Sequence, residues 1–216
     1  NARAKRPFAG NHRRGAGHSL HCAALAGKLV QKRSAVGDAR RFIQFFQNSF
    51  IAGKLAVETI MSVGEGAKIR LIQLHGTDEN ALLFTDTKGE CRKDGRIEII
   101  QIMLGKGDVY SDTHIDLSGD GSSFKADIGY FAEKTMTLDM NLVVNQIAKN
   151  TESEINASGA LKDAAKKIFR GTIDFRNGSS GSVGNEKETV LMLGEEVVNK
   201  TVPLILCAEE DVVGNH

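Results

Sequence analysis

From Leu55 onward the side chains alternate with a period of two, and glycines interrupt that alternation roughly every 10 to 15 residues. Met136, Leu138, Met140, Leu142 and Val144 alternate with Thr135, Thr137, Asp139, Asn141 and Val143, the pattern of a half-buried strand. Val109, Ser111, Ile115 and Leu117 take odd positions, whereas Phe124, Ala126, Ile128 and Tyr130 take even ones. The parity flips across Gly119-Asp120-Gly121, as a turn between two strands sharing one buried face requires. Ile97, Ile99 and the run from Ile100 to Leu104 are richer still and suit burial on both sides.

Many short strands at such spacing fold into a sandwich, a barrel or a β-solenoid, and periodicity alone does not choose among them. No strict repeat aligns, so a solenoid would be an irregular one. Ala160 to Ile168 favours helix on intrinsic propensity, but its flanks read it as a strand edge and turn.

The first part of the chain is different. Residues 1–50 carry ten Lys/Arg and the single acid Asp38, while the rest carry eighteen basic and twenty-six acidic residues. Such a break predicts a basic segment in front of an acidic domain. Residues 1–35 lack a sustained period and read as an arm. Phe42, Phe45, Phe46 and Phe50 are spaced for one face of a helix over Ala39 to Leu55. The expected division is therefore a basic N-terminal arm with a possible short helix at 1–54 and a β core at 55–216.

Several functional classes lack their signatures. The chain has no phosphate-cradling Gly-Lys-Ser/Thr loop, no Gly-x-Ser-x-Gly elbow and no His-Glu-x-x-His motif, so no bound nucleotide is expected. Cys22, Cys91 and Cys207 are too far apart for a Cys-x-x-Cys metal site and read as reduced cytosolic thiols. No run of 18 apolar residues predicts a membrane span. Leu20 to Val30 could imitate a targeting peptide, but it is short and broken by Gly27 and Lys28. The basic arm has too few interleaved aromatics for a nucleic-acid binder. The chain starts at Asn1 without Met and ends on a histidine, which reads as a fragment.

Three passages carry a resemblance. The last comprises Gly181 to Gly194, then Lys200-Thr-Val-Pro-Leu-Ile-Leu-Cys207, then an acidic corner, Glu209-Glu210-Asp211, leading to His216. Asp108 to Tyr130 has the form strand, glycine turn, strand, and Phe169-Arg-Gly-Thr-Ile-Asp-Phe-Arg176 is a strand led by a glycine. Together these resemble the SufB/SufD family, the scaffold proteins of SUF iron–sulfur cluster assembly, and Gly64 to His216 can be laid along that family's core without large gaps. The resemblance implies an all-β fold, a right-handed parallel β-helix of stacked coils. It also implies a non-enzymatic cytoplasmic scaffold that shares a transient iron–sulfur cluster with a SufB-like paralogue. A SufC-like ABC ATPase would bind a C-terminal helical domain that this stretch lacks. The family pairs SufB and SufD edge to edge, so this chain is also expected to dimerise with itself through strands near residues 190–206.

The resemblance points to His216 as the principal site residue and tentative metal ligand, because the SufD-like histidine after the acidic corner lies at the SufB interface. Imidazole is a good borderline ligand for iron; the plainer reading is a turn histidine. Cys207, nine residues earlier, could help hold iron or sulfur, or be an inert thiol at the end of an apolar strand. SufB-like members place their cluster-assembly cysteine just before the match to Leu191-Met-Leu-Gly194, where this chain has Glu188. A carboxylate lacks the nucleophilic sulfur, which favours SufD over SufB and leaves Glu188 as a solvated side chain. Glu209, Glu210 and Asp211 could assist iron entry or form an ordinary acidic turn. His75 and His114 are expected in solvent, and His12, His18 and His21 with Cys22 make no site in a basic arm. The alternative function is a β-helical carbohydrate-active enzyme or carbohydrate-binding protein using Asp108, Asp112, Asp116 and Asp120.

Overall fold

A computed structural model describes the backbone of residues 18–24 and 29–37 and, with side chains, residues 42–216. One sheet holds, in spatial order, β1 (His18–Ala24), β3 (Phe42–Ile51), β5 (Lys68–Thr77), β7 (Arg96–Gly105), β9 (Ser123–Ala132), β11 (Glu152–Lys162), β13 (Ser182–Leu193) and β15 (Val212–Asn215). The facing sheet holds β14 (Val198–Cys207), β12 (Lys166–Phe175), β10 (Thr137–Gln146), β8 (Asp108–Leu117), β6 (Leu82–Cys91), β4 (Lys54–Val63) and β2 (Leu29–Gly37). Every neighbouring pair is parallel, and successive strands alternate between the sheets. The described chain is therefore an all-β solenoid of about six turns, without a helix. Phe42 lies beside Lys68 and Lys166 beside Val198, so one turn takes from 26 to 32 residues.

The alternation read in the sequence becomes a set of inward-facing columns. Met136, Leu138, Met140, Leu142, Ile173 and Phe175 are all buried, as are both parity sets around Gly119-Asp120-Gly121. Ala160 to Ile168 forms the end of β11, a turn and the start of β12, because its neighbours on both sides supply parallel strands to pair with. One corner is stacked by backbone bonds that climb the coil: Asp94 N donates to Asp120 O, Gly121 N to Lys149 O, Asn150 N to Ser180 O and Gly181 N to Asp211 O. Each of those donors has positive φ, which Gly, Asn and Asp adopt at least cost. The acidic corner is the top rung of that stack.

Two expectations are corrected. The helix over 39–55 is, from residue 42, the strand β3. Phe42, Phe46 and Phe50 are four apart, a spacing that satisfies a helical stripe and one face of a strand equally; pairing with β5 decides for the strand. Phe45 has the other parity and packs against the core. The run from Ile100 to Leu104 is not buried on both sides either. Gln101 and Met103 point inward, whereas Ile102 and Leu104 are exposed on the outer face. Within the span read as a basic arm, β1 and β2 run beside β3 and β4 and continue the two sheets. Residues 1–17, which include His12, residues 25–28 and 38–41, and the side chains of His18, His21 and Cys22 lie outside the described residues.

Candidate functional site

The interior changes character at the C-terminal end of the coil. In the seven-stranded sheet one inward column reads Leu55, Leu83, Val109, Leu138 and then Lys167. In the opposite sheet the column Phe45, Leu71, Ile99, Ala126, Ile155 ends on Glu186. A neighbouring column ends Ile128, Ala157, Glu188. Lys167 and Glu186 thus occupy positions that the preceding turns give to hydrophobes, whereas Glu188 follows Ile128 and Ala157 in a column that earlier turns fill with Gln47, Gln73 and Gln101.

Two of them are paired. Lys167 Nζ donates to Glu188 Oε1, with no exposure of the lysine side chain and 7% of the glutamate. Tyr130 OH donates to the same oxygen at 3.0 Å, and Thr201 Oγ1 donates to Oε2 while accepting from Lys167 at 3.2 Å. Tyr130 reaches that oxygen because its ring lies over Gly159, where a Cβ would come within 2.2 Å of it. Burial lowers the affinity of Lys167 for its proton, and the Glu188 carboxylate works against that loss. Burial and then the adjacent Glu188 charge push the Tyr130 phenol up, so it serves as a neutral donor.

Glu186 is unpaired. The residue is 6% exposed, its Oε2 is buried without a hydrogen-bond partner, and burial followed by repulsion from Glu188 raises its pKa to about 7. Its carboxylate lies over Gly171, where a Cβ would sit 2.2 Å from both oxygens. Glu186 and Glu188 line a cavity of about 430 Å³ together with Asn199, Thr201, Pro203 and His216. His216 follows Asn215, whose partner is Asn185, so it reaches the cavity at the end of the Glu186 column.

The coil therefore brings His216 to this cavity and does not bring Cys207 there. Cys207 is exposed and pairs with Phe175, four residues past the Pro203 that lines the cavity, which is about 13 Å along a strand. Among the described residues no three His, Cys, Asp or Glu side chains form a ready metal cluster. Glu188 is the centre of a buried network and not the solvated carboxylate expected, because its parity on β13 matches inward-facing Ser182, Gly184 and Glu186. His75 is likewise buried, with both ring nitrogens unpartnered, since it shares parity with Ile69 and Leu71. His114 is on the outer face beside Asp112, its side chain 42% exposed. The acidic corner holds turns together: Glu209 accepts from Gly178 N and Asp211 from Ser180 OH.

Sequence reading missed Lys167, Tyr130 and Glu186. The signal was available for Lys167, which keeps step with Phe169, Ile173 and Phe175. Asp108, Asp112, Asp116 and Asp120, the carboxylates of the carbohydrate alternative, each tie one turn to the next. They accept from Thr137 N, Asn141, Asn145 and Lys149 N at 2.7 to 3.0 Å. A family model described as SUF system FeS cluster assembly, SufBD core domain, matches residues 42–216. No curated protein matches the chain.

Proposed function

The chain belongs to the SufBD core domain family of SUF iron–sulfur cluster assembly, and from that premise we propose that it is a SufD-type, non-catalytic scaffold subunit. In this reading it pairs with a SufB-like paralogue, shares a transient cluster or its iron with that partner, and works in the cytoplasm. A SufC-like ATPase supplies the nucleotide chemistry. The observation that carries the reading is the cavity beside β13 that His216 lines together with Glu186, Glu188 and Thr201. Glu188 supports SufD over SufB, because the position expected to hold a sulfur nucleophile is committed to Lys167, Tyr130 and Thr201.

The test is anaerobic co-purification of the full-length protein with SufB-like and SufC-like partners, followed by iron and sulfide analysis. A stable complex that assembles a cluster supports the reading, and a chain that fails to join it removes the reading. One observation favours the alternative of a carbohydrate-binding protein. Phe84 and Tyr110 stack at 5.1 Å beside Asp86, Asp112 and Asp139 in an outer groove of about 590 Å³. Retention on an immobilised polysaccharide that is lost in Phe84→Ala would promote that alternative.

A further inference from the structure

On the outer face of the seven-stranded sheet, Glu58, Asp86 and Asp112 stand side by side on β4, β6 and β8. Adjacent strands lie about 4.8 Å apart, so these like charges repel. Among the described residues that line the groove over them, the one cation is Arg170, which is committed to Asp139. Lys88 donates to Asp86 Oδ2 at 2.8 Å, while Oδ1 of the same carboxylate has no partner. Asp112 accepts from Asn141 at 2.8 Å and lies 3.4 Å from His114. The row beside the acids holds the stacked pair Phe84 and Tyr110, and Phe84 is 47% exposed. Carboxylates next to an open aromatic face suit a guanidinium or an ammonium, which pairs with the one and stacks on the other. The groove, of about 590 Å³, has room for several such groups.

The same chain supplies those groups. Residues 1–17 hold Arg3, Lys5, Arg6, Arg13 and Arg14 and no acid, and they lead into β1 at His18. β1 stacks on β3, which starts at the corner where strands of the seven-stranded sheet end. The acidic row lies five residues back from the ends of β4, β6 and β8, about 17 Å along each strand. The path from His18 to the groove is therefore roughly 30 Å, and seventeen residues reach about 55 Å when extended. We propose that the basic segment 1–17 docks in this groove of its own chain. Its Arg and Lys side chains pair with Glu58, Asp86 and Asp112, and one guanidinium stacks on the Phe84 ring. The contact is autoinhibitory, since the groove is closed to outside ligands until the segment leaves. It is independent of cluster assembly.

The experiment is limited trypsin digestion of the full chain, with cleavage after Arg13 and Arg14 timed by mass spectrometry, alongside carbodiimide coupling of Lys5 to carboxylates. At low salt the unmodified chain should be cut at least ~10-fold more slowly than a variant carrying Asp86→Asn and Asp112→Asn, which keep the side-chain shapes. Phe84→Ala should fall between the two, and it serves if the double variant fails to fold. About 0.5 M NaCl should remove the protection, because these charges are solvent-facing. Lys5 should couple to Asp86 or Asp112. Glu65→Gln, in an exposed turn away from the groove, should change neither result. Equal cleavage rates in the unmodified chain and the groove variants overturn the proposal. Coupling found only between chains, in a mixture of isotope-labelled and unlabelled protein, gives the groove to a second copy's segment and overturns it too. Retention on an immobilised polysaccharide while the segment is freely cut assigns the groove to carbohydrate, with the same consequence.

Discussion

Lys167 and Glu188 form an ion pair inside the solenoid, and the column that ends on Lys167 is filled in the preceding turns by Leu55, Leu83, Val109 and Leu138. Removing one partner leaves the other charged and buried. Lys167→Met should therefore destabilise the fold by about 3–5 kcal/mol, read from urea unfolding. Lys167→Met with Glu188→Leu restores the apolar column and should recover most of that loss, because a buried pair replaced by well-packed hydrophobes is often neutral. A double variant as unstable as the single one would mean that Tyr130 and Thr201, not the charges, dominate the network.

His75 gives the fold a pH dependence of definite sign. Burial holds its pKa near 4, below the ordinary 6.5, and both nitrogens lack partners. The unfolded chain therefore binds the proton more tightly. Stability is fully present above pH 6.5 and falls as the pH drops through 6.5 towards 4, by about 3 kcal/mol at most. His75→Leu should flatten that part of the profile in thermal unfolding between pH 4 and 7. A profile unchanged by the substitution would place the acid sensitivity elsewhere.

The fold was legible because alternation and glycine turns report the same geometry, and the parity flip at Gly119-Asp120-Gly121 appears in the structure as two strands sharing one interior. What escaped had a physical cause. Phe42, Phe46 and Phe50 fit either period, and only a neighbouring strand could decide between them. Ile102 and Leu104 look like core by composition but face outward, since a strand's second face is set by what covers it. His75, Lys167 and Glu186 are polar, and composition sends polar residues to solvent, whereas their parity with Leu71, Phe169 and Gly184 sends them inward. Parity was the better guide at all three. The separation of His216 from Cys207 was not legible, because nine residues of sequence include a corner whose path only the stacked turns define.

Self-association should follow from the apolar outer face of β14 and the end of β13. The outer side chains of the edge strand β14, Val202, Leu204 and Leu206, are 52%, 45% and 43% exposed, and Leu191 and Met192 on β13 are each 58% exposed. An outer face bearing such side chains invites a second copy. The isolated chain should show a concentration-dependent dimer by light scattering, and Leu204→Lys should shift it to monomer without loss of thermal stability. A monomeric mass at every concentration would count against this edge as an interface.

His216 and Cys207 separate cluster chemistry from packing. Both are exposed, so replacing either should leave unfolding within about 0.5 kcal/mol of the parent. His216 shares its cavity with Glu186 and Glu188, whereas Cys207 lies four residues along β14 from the Pro203 that lines it. In a full-length complex with a SufB-like partner, His216→Ala should leave assembly of the complex intact and lower iron and sulfide content. On the proposed scaffold reading the imidazole would serve as a metal ligand or proton acceptor. Cys207→Ala should have a smaller effect, since its thiol does not reach the cavity. Glu188→Ala does not belong with these variants, because it strands Lys167 and should destabilise the fold first. Normal iron and sulfide content in the His216→Ala complex would reduce His216 to the end of a turn.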